Sequence, residues 1–321
     1  MSGGRIDLHA HYLPDFYREA LAESGHGRRA AISSLPEWDE QLALRTMDRL
    51  GVRTAMLSVS TPGVHFGDAD RAVDLARRVN EEGARLVREH PGRFGFFASL
   101  PLPEVEPAVA ELRHAFDVLG ADGVILQSNH HGLYLGDERL EPVYAEVAAR
   151  GSVVFVHPAM PFVAEHLALG YPQPALEFPF DTTRSVVDLV LSGVLERHPD
   201  LRVVVSHAGA VLPVLANRVD LLVPMLAVPK GRSTPSLRAA MRRLHFDLAG
   251  APVPELLGAL LSLADPDRLH YGSDYPFFPA ALGRELADRL AETPLLDGEL
   301  RRAVFEDNAV RLFPRLASPT S

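Results

Sequence analysis

Two histidines close to the start of the chain, His9 and His11, are spaced for chemistry. On an extended backbone residues two apart share a face, so Ile6-Asp7-Leu8-His9-Ala10-His11 reads as a short strand presenting two imidazoles in one direction, a bidentate claw for a metal ion. Three further residues fall in a matching pattern. His157 ends the apolar run Val-Val-Phe-Val-His, His207 ends Val-Val-Val-Ser-His, and Asp274 ends Tyr-Gly-Ser-Asp. Each, taken alone, has a plain structural reading as a turn former or a satisfied core polar group. Together they are imidazoles and a carboxylate at the tips of strands, and gathering such groups in one buried place is costly unless a divalent cation compensates them.

The elements that must position these residues follow from periodicity. Strands are predicted at 6–11, 52–58, 93–100, 121–127, 153–157, 201–207, 244–248 and 269–273. Helices are predicted at 38–49, from an Asp68 cap to Pro91, from Val105 to Gly120, at 138–150, 182–197, 211–222 and 254–264, with more at the C-terminal end. Strands that are almost continuously apolar and alternate with helices indicate a parallel (β/α)8 TIM barrel, and no shift of composition divides 1–321 into two domains. The long connections follow the first, fourth and fifth strands: 12–35, the polar stretch Ser128 to Gly132, and 158–180, rich in Pro and Phe. In such a barrel these loops lie at the C-terminal face, where the five tip residues converge.

Composition narrows the chemistry. The chain has 321 residues, 47% hydrophobic and 23% charged, and no cysteine, so neither a thiolate site nor a disulfide is available. Lys230 is its single lysine and sits in a Pro-Lys-Gly turn, which leaves no strand lysine to form a Schiff base or to bridge two metals when carboxylated. A net charge of −10 argues against nucleic acid as a partner. The start of the chain has no signal-like apolar run and no segment is long enough for a membrane span, so a cytoplasmic protein without a membrane partner is expected.

Across its whole length the chain resembles the amidohydrolase superfamily, in the branch of aminocarboxymuconate-semialdehyde decarboxylase. His9-Ala10-His11, His157-Pro158, Ser206-His207-Ala208-Gly209 and Gly272-Ser273-Asp274-Tyr275-Pro276 match that branch in order and spacing. Other stretches are similar to decarboxylases of the 6-methylsalicylate type: Pro62-Gly63-Val64-His65-Phe66, Phe94-Gly95-Phe96-Phe97, Tyr134-Leu135-Gly136-Asp137 and Asp181-Thr182-Thr183-Arg184. The resemblance implies one divalent ion held by His9, His11, His157 and Asp274, with His207 just outside. Imidazole donors lean towards Zn2+, while Mn2+ serves some decarboxylases of this branch. It further implies a small carboxylic acid substrate, salicylate-like or unsaturated, and a homodimer or an oligomer built from dimers. Asp274 is then the proton donor in a non-oxidative decarboxylation and His207 its relay, although a hydrolase of an amide, lactone or carbon–carbon bond would use the same fold and metal.

Substrate contacts are less determined. Arg218 is either a solvated helical arginine or, as in the resembled decarboxylases, a residue reaching across a dimer interface to a carboxylate. The branch's other carboxylate-binding arginine falls on Ala43 here, with Arg45 off register, which argues against a dicarboxylate. Asn129 and His130, with His131, follow the fourth strand and are candidates for contact with substrate hydroxyls. Phe178, Phe180, Tyr275, Phe277 and Phe278 are candidates for an aromatic wall, as well as ordinary core residues. Arg184 and Asp181 are expected to form an ion pair at a helix N-cap.

Overall fold

A computed structural model describes residues 4–25, 35–163, 167, 169–226 and 234–317; Lys230 and the middle of the first long connection lie outside them. Eight parallel strands stand in chain order: β1 (Arg5–His11), β2 (Val52–Ser58), β3 (Phe94–Ala98), β4 (Gly123–Gln127), β5 (Val153–His157), β6 (Arg202–Val205), β7 (His245–Asp247) and β8 (Leu269–His270). The barrel closes where the chain after β8 runs beside β1. There Leu8 N donates to Tyr271 O (3.0 Å), Asp274 N to His9 O (2.8 Å) and His11 N to Tyr275 O (2.7 Å). Gly272 permits this approach, since a Cβ on it would stand 2.8 Å from His9 Cβ.

The helices obey the local signals. In α1 (Glu40–Leu50) the Asp39 carboxylate caps Leu42 N at 2.7 Å and Gly51 ends the helix in the left-handed region. In α2 (Ala69–Glu89) Asp68 caps Arg71 N at 3.0 Å. The other long helices are α3 (Val105–Asp117), α4 (Glu141–Ala149), α5 (Gln173–Leu191), α6 (Leu212–Leu226) and α7 (Ala280–Glu292); a further helix, Asp15–Glu23, follows β1, and shorter helices lie between the others.

Three expectations need correction. The helix expected from Thr182 begins at Gln173 and carries Pro179 inside it, so the last third of the presumed loop 158–180 is helical. Pro179 lacks an N–H and loses a backbone bond there, and its own carbonyl accepts the Thr183 hydroxyl at 2.8 Å. Asp181 consequently sits within α5 and is no N-cap, although its ion pair with Arg184 is present at 2.7 Å. Finally, β6 stops at Val205, so His207 lies beyond the strand in a tight turn rather than at its tip.

The barrel lumen is layered. Ile6, Leu8, Met56, Phe97, Ile125, Val153, Phe155 and Val204 form an apolar core of their own, with Phe97 and Phe155 stacked at 5.2 Å. Ala309, Leu312, Phe313 and Leu316 seal one end of it. Each large side chain so buried contributes about 1.5 to 3 kcal/mol. A larger core lies between the outer face of the strands and the helices.

A bulge sets the register of β1. Asp7 pairs with Ala55 and Ala10 with Leu57, so three steps of β1 span two of β2. Leu8 and His9 therefore both face the lumen opposite Met56. In a regular strand, the alternation that turns Ile6 and Leu8 inward would turn His9 and His11 outward. The bulge allows the strand to supply lumen core below and metal donors above.

Candidate metal centre and adjoining cavity

The sequence-selected residues meet at the mouth of the barrel. His9, His11, His157 and Asp274 each place one ligand atom so that all lie within 4.8 Å of one another. His9 Nε2 is 3.1 Å from His11 Nε2, and Asp274 Oδ1 is 3.4 and 3.2 Å from these two nitrogens. The His157 ring centroid lies 5.2 Å from that of His9 and 4.7 Å from that of His11. Nitrogens held at about 2.1 Å from one ion at angles between 90° and the tetrahedral value are separated by about 3.0 to 3.4 Å, so this spacing suits a shared cation.

The outer ring nitrogens explain why the inner ones are free to ligate. His9 Nδ1 donates to Asp247 Oδ2 (3.0 Å), His157 Nδ1 to Pro158 O (2.9 Å), and His11 Nδ1 lies 3.2 Å from Ser58 O and 3.0 Å from its hydroxyl. With the hydrogens on Nδ1, all three Nε2 lone pairs point at one spot. Three lone pairs and a carboxylate oxygen facing each other repel unless positive charge sits among them. These four residues constitute a divalent-metal site.

The electrostatics agree. Burial holds His11 below the usual imidazole range and, helped by its neighbours His11 and His9, His157 well below it. Burial pulls on His9 too, but the Asp247 and Asp274 carboxylates outweigh it and raise His9 to about 9. Without a metal, His9 is thus where a proton stands in for the cation. Burial would raise Asp274, yet His9, His11 and His207 hold it well below the carboxylate range.

His207 stands beside the ligand set. Its Nε2 is 3.4 Å from Asp274 Oδ2, the oxygen turned away from His9 and His11. Both residues have backbone in the left-handed region, with φ of 55° at His207 and 56° at Asp274. Such strain in non-glycine residues persists only where the surroundings enforce it. One enforcing group is Asp247, whose Oδ1 accepts from His207 N (3.1 Å) and Ala249 N (2.9 Å) while Oδ2 holds His9. Asp7 acts similarly between β1 and the chain after β8, accepting from His9 N and Ser273 N, both at 3.0 Å. Burial pushes its carboxyl up to about 6 against those hydrogen bonds.

Sequence reasoning passed over Asp247. Its signal was present, since His-Phe-Asp-Leu places a carboxylate at the tip of the seventh strand just as His157 ends the fifth.

Beside the metal ligands opens a cavity of about 470 Å³. It adjoins them without including them: Gln127 at the end of β4, which lines it, is the ladder neighbour of His157, and Ala159 follows two residues after His157, while the four ligands and His207 are not among its lining residues. Phe178 and His130 line it; burial, reinforced by His131 and His65, lowers His130 to about 3 and keeps it neutral. Asn129 also reaches it, but all its polar atoms are engaged. Nδ2 donates to Met160 O and Asp181, both at 2.8 Å, and Oδ1 accepts from Gly132 N at 3.2 Å. It anchors the hairpin of Asn129–His130 and Leu133–Tyr134 onto α5, together with Ser128 and Tyr134, which also donate to Asp181.

The other expected contacts lie elsewhere. Tyr275 is no part of the cavity wall; its ring packs between the barrel and α1, near Ala43 and Thr46. Phe277 instead meets the His11 ring edge-on at 5.4 Å, and Phe180 is 44% exposed. Arg218 is exposed on α6 and lines no part of the cavity.

Comparison with known proteins places this geometry. The sequence pattern of the amidohydrolase family matches residues 6–315. A 6-methylsalicylic acid decarboxylase of Aspergillus aculeatus is 36% identical over 323 residues, covering 97% of this chain and 96% of that protein. A crystal structure described as amidohydrolase II is 37% identical, with a TM-score of 0.89 over 96% of this chain and 99% of that one. A dihydroxybenzoic acid decarboxylase from Polaromonas sp. JS666, crystallised with manganese and the inhibitor 2-nitroresorcinol, shares the fold with a TM-score of 0.83 at 24% identity. That match covers 98% of both chains.

Proposed function

The chain belongs to the amidohydrolase family, and we propose that within it the protein is a metal-dependent, non-oxidative decarboxylase of a small aromatic acid of the salicylate type. The observation that carries this reading is the division of Asp274 between two tasks. Oδ1 faces the imidazoles that would hold the ion and Oδ2 faces His207, and the adjoining cavity of about 470 Å³, with largely apolar walls, has ample room for a substituted benzoate.

A divalent cation bound by His9, His11, His157 and Asp274 supplies the positive charge that anchors and polarises an acid's oxygens. The protein's own residues do the rest. Asp274, ionised at rest, takes a proton from His207 Nε2 onto Oδ2 and delivers it to the ring carbon bearing the carboxylate. Once that carbon is protonated, the bond to the carboxylate breaks, its electrons return to the ring, and CO2 departs. Ile125, Leu100 and Phe178 exclude water from the ring during this step. Zn2+ is the metal the three imidazoles favour; manganese in the Polaromonas enzyme makes Mn2+ the alternative to test.

The protein acts as a dimer in this reading. Val214, Leu221 and Met225 are 65%, 69% and 65% exposed, and with exposed Arg218 they lie at spacings of four, three and four along α6, one apolar stripe with a guanidinium in it. Leu221→Glu should convert the dimer to monomer in sedimentation.

The test is CO2 release from a panel of salicylates by metal-loaded and metal-stripped protein. Release that needs the metal is expected. Turnover of esters or lactones with no CO2 from any acid would replace the decarboxylase by a hydrolase.

A further inference from the structure

Two buried polar atoms in the cavity have no hydrogen-bonding partner within the protein: Ser99 Oγ and Gln127 Oε1. Their side chains are almost completely enclosed, the residues being 3% and 4% exposed. Leaving such an atom buried and unpaired is costly, so an unpaired pair on a cavity wall signals a ligand group that completes it. Both residues close the C-terminal end of adjacent strands, β3 and β4, and Gln127 stands next to His157 in the ladder.

The surroundings fix what that group is. Ser99 is held by its backbone, its N–H donating to Asn80 Oδ1 (2.8 Å) and its carbonyl accepting from Asn80 Nδ2 (3.0 Å). The hydroxyl therefore stays aimed while free to donate or accept. Gln127 Oε1 only accepts. A third cavity residue supplies a donor. Gly67 N donates to His65 Nδ1 at 3.1 Å, which leaves the ring hydrogen on Nε2, and that buried atom makes no hydrogen bond, its nearest carboxylate being Glu104 Oε1 at 3.9 Å. Among the described residues no lysine or arginine lines the cavity. An acceptor, an ambivalent hydroxyl and a neutral donor, without a cation, match a neutral O–H and disfavour a second carboxylate.

We propose that Gln127 and Ser99 form a hydroxyl-recognition site for the substrate ring, making them specificity-determining residues for phenolic acids over acids without a ring hydroxyl and over dicarboxylates. This rests on the decarboxylase reading for its ligand class, but its test does not need turnover.

The experiment is a ligand-by-residue cycle on metal-loaded protein. Dissociation constants are measured by calorimetry for benzoate, salicylate, the 2,4-, 2,5- and 2,6-dihydroxybenzoates and 4-hydroxyisophthalate, with wild type, Gln127→Met and Ser99→Ala. At least one added hydroxyl should tighten binding to wild type by about 10- to 100-fold, and each substitution should erase most of that gain while changing benzoate by less than about 3-fold. The isophthalate should bind more weakly than salicylate. If the substitutions weaken benzoate and the phenolic acids equally, if neither alters the hydroxyl gain, or if none of the acids binds, the assignment is wrong. Ser99→Ala removes a single atom, so the cycle stands even if Gln127→Met does not fold. CO2 release, followed in parallel, judges the decarboxylase reading separately: hydroxyl discrimination without CO2 would sink that reading and leave this one standing.

Discussion

Replacing Asp247 with asparagine probes the centre through a residue that never touches the metal. The substitution keeps an oxygen for His207 N and Ala249 N, so the fold should survive, but it turns an NH2 group towards His9 Nδ1, where a carboxylate oxygen accepts at 3.0 Å. His9 would then carry its hydrogen on Nε2 and lose the lone pair aimed at the ion. Partners of this kind are worth 10- to 100-fold in metal affinity, about 1.4 to 2.8 kcal/mol. A second effect opposes the first. Asp247 is a principal cause of the rise of His9 to about 9, so at pH 7 a metal entering the wild-type site must displace a proton held about two pH units too tightly, a handicap of about 3 kcal/mol. The asparagine variant lifts part of that handicap. The expected result is a loss of about 10- to 100-fold in affinity at pH 9, where the proton competes by only about twofold, and a smaller loss at pH 7. Competition with a chelator at both pH values, with circular dichroism to verify folding, reads this directly. Equal affinities at pH 9, or a loss larger at pH 7 than at pH 9, would refute the assignment of Asp247 as the group that sets the His9 tautomer.

Further outcomes are open to measurement. His207→Asn should keep one metal ion per chain by elemental analysis and lower kcat by about 10²- to 10⁴-fold, because His207 serves the proton and not the ion. Gly272→Ala should destabilise by about 1 to 3 kcal/mol in denaturant titrations and weaken metal binding, since the new methyl meets His9 Cβ at 2.8 Å. Metal uptake at pH 7 should release about one proton, visible as buffer-dependent heats in calorimetry, and affinity should rise with pH until about 9. The metal-free protein follows the opposite course. A His9 pKa raised above its unfolded value stabilises fully below about pH 6.5, and that contribution is lost as pH rises through 9.

The sequence by itself determined the barrel and the identity of the metal donors. Near-continuous apolar strands alternating with amphipathic helices leave few other folds, and strand-tip residues of a closed barrel must converge wherever they lie in the chain. What it could not determine is side-chain direction where the backbone departs from regularity. The β1 bulge, invisible in Ile6-Asp7-Leu8-His9, decides that both Leu8 and His9 face the lumen. The turn that carries His207 past the end of β6 has no counterpart in a run that reads as strand. Tyr275 and Asn129 were plausible substrate contacts by position, yet one packs outward against α1 and the other spends its amide on Met160 and Asp181. Pairing across long sequence separations, such as Asp247 with His9 or Gln127 beside His157, is settled only when the strands close. The physical reason is that periodicity reports which face of an element is apolar, while hydrogen-bond satisfaction of each polar atom depends on partners supplied by other elements.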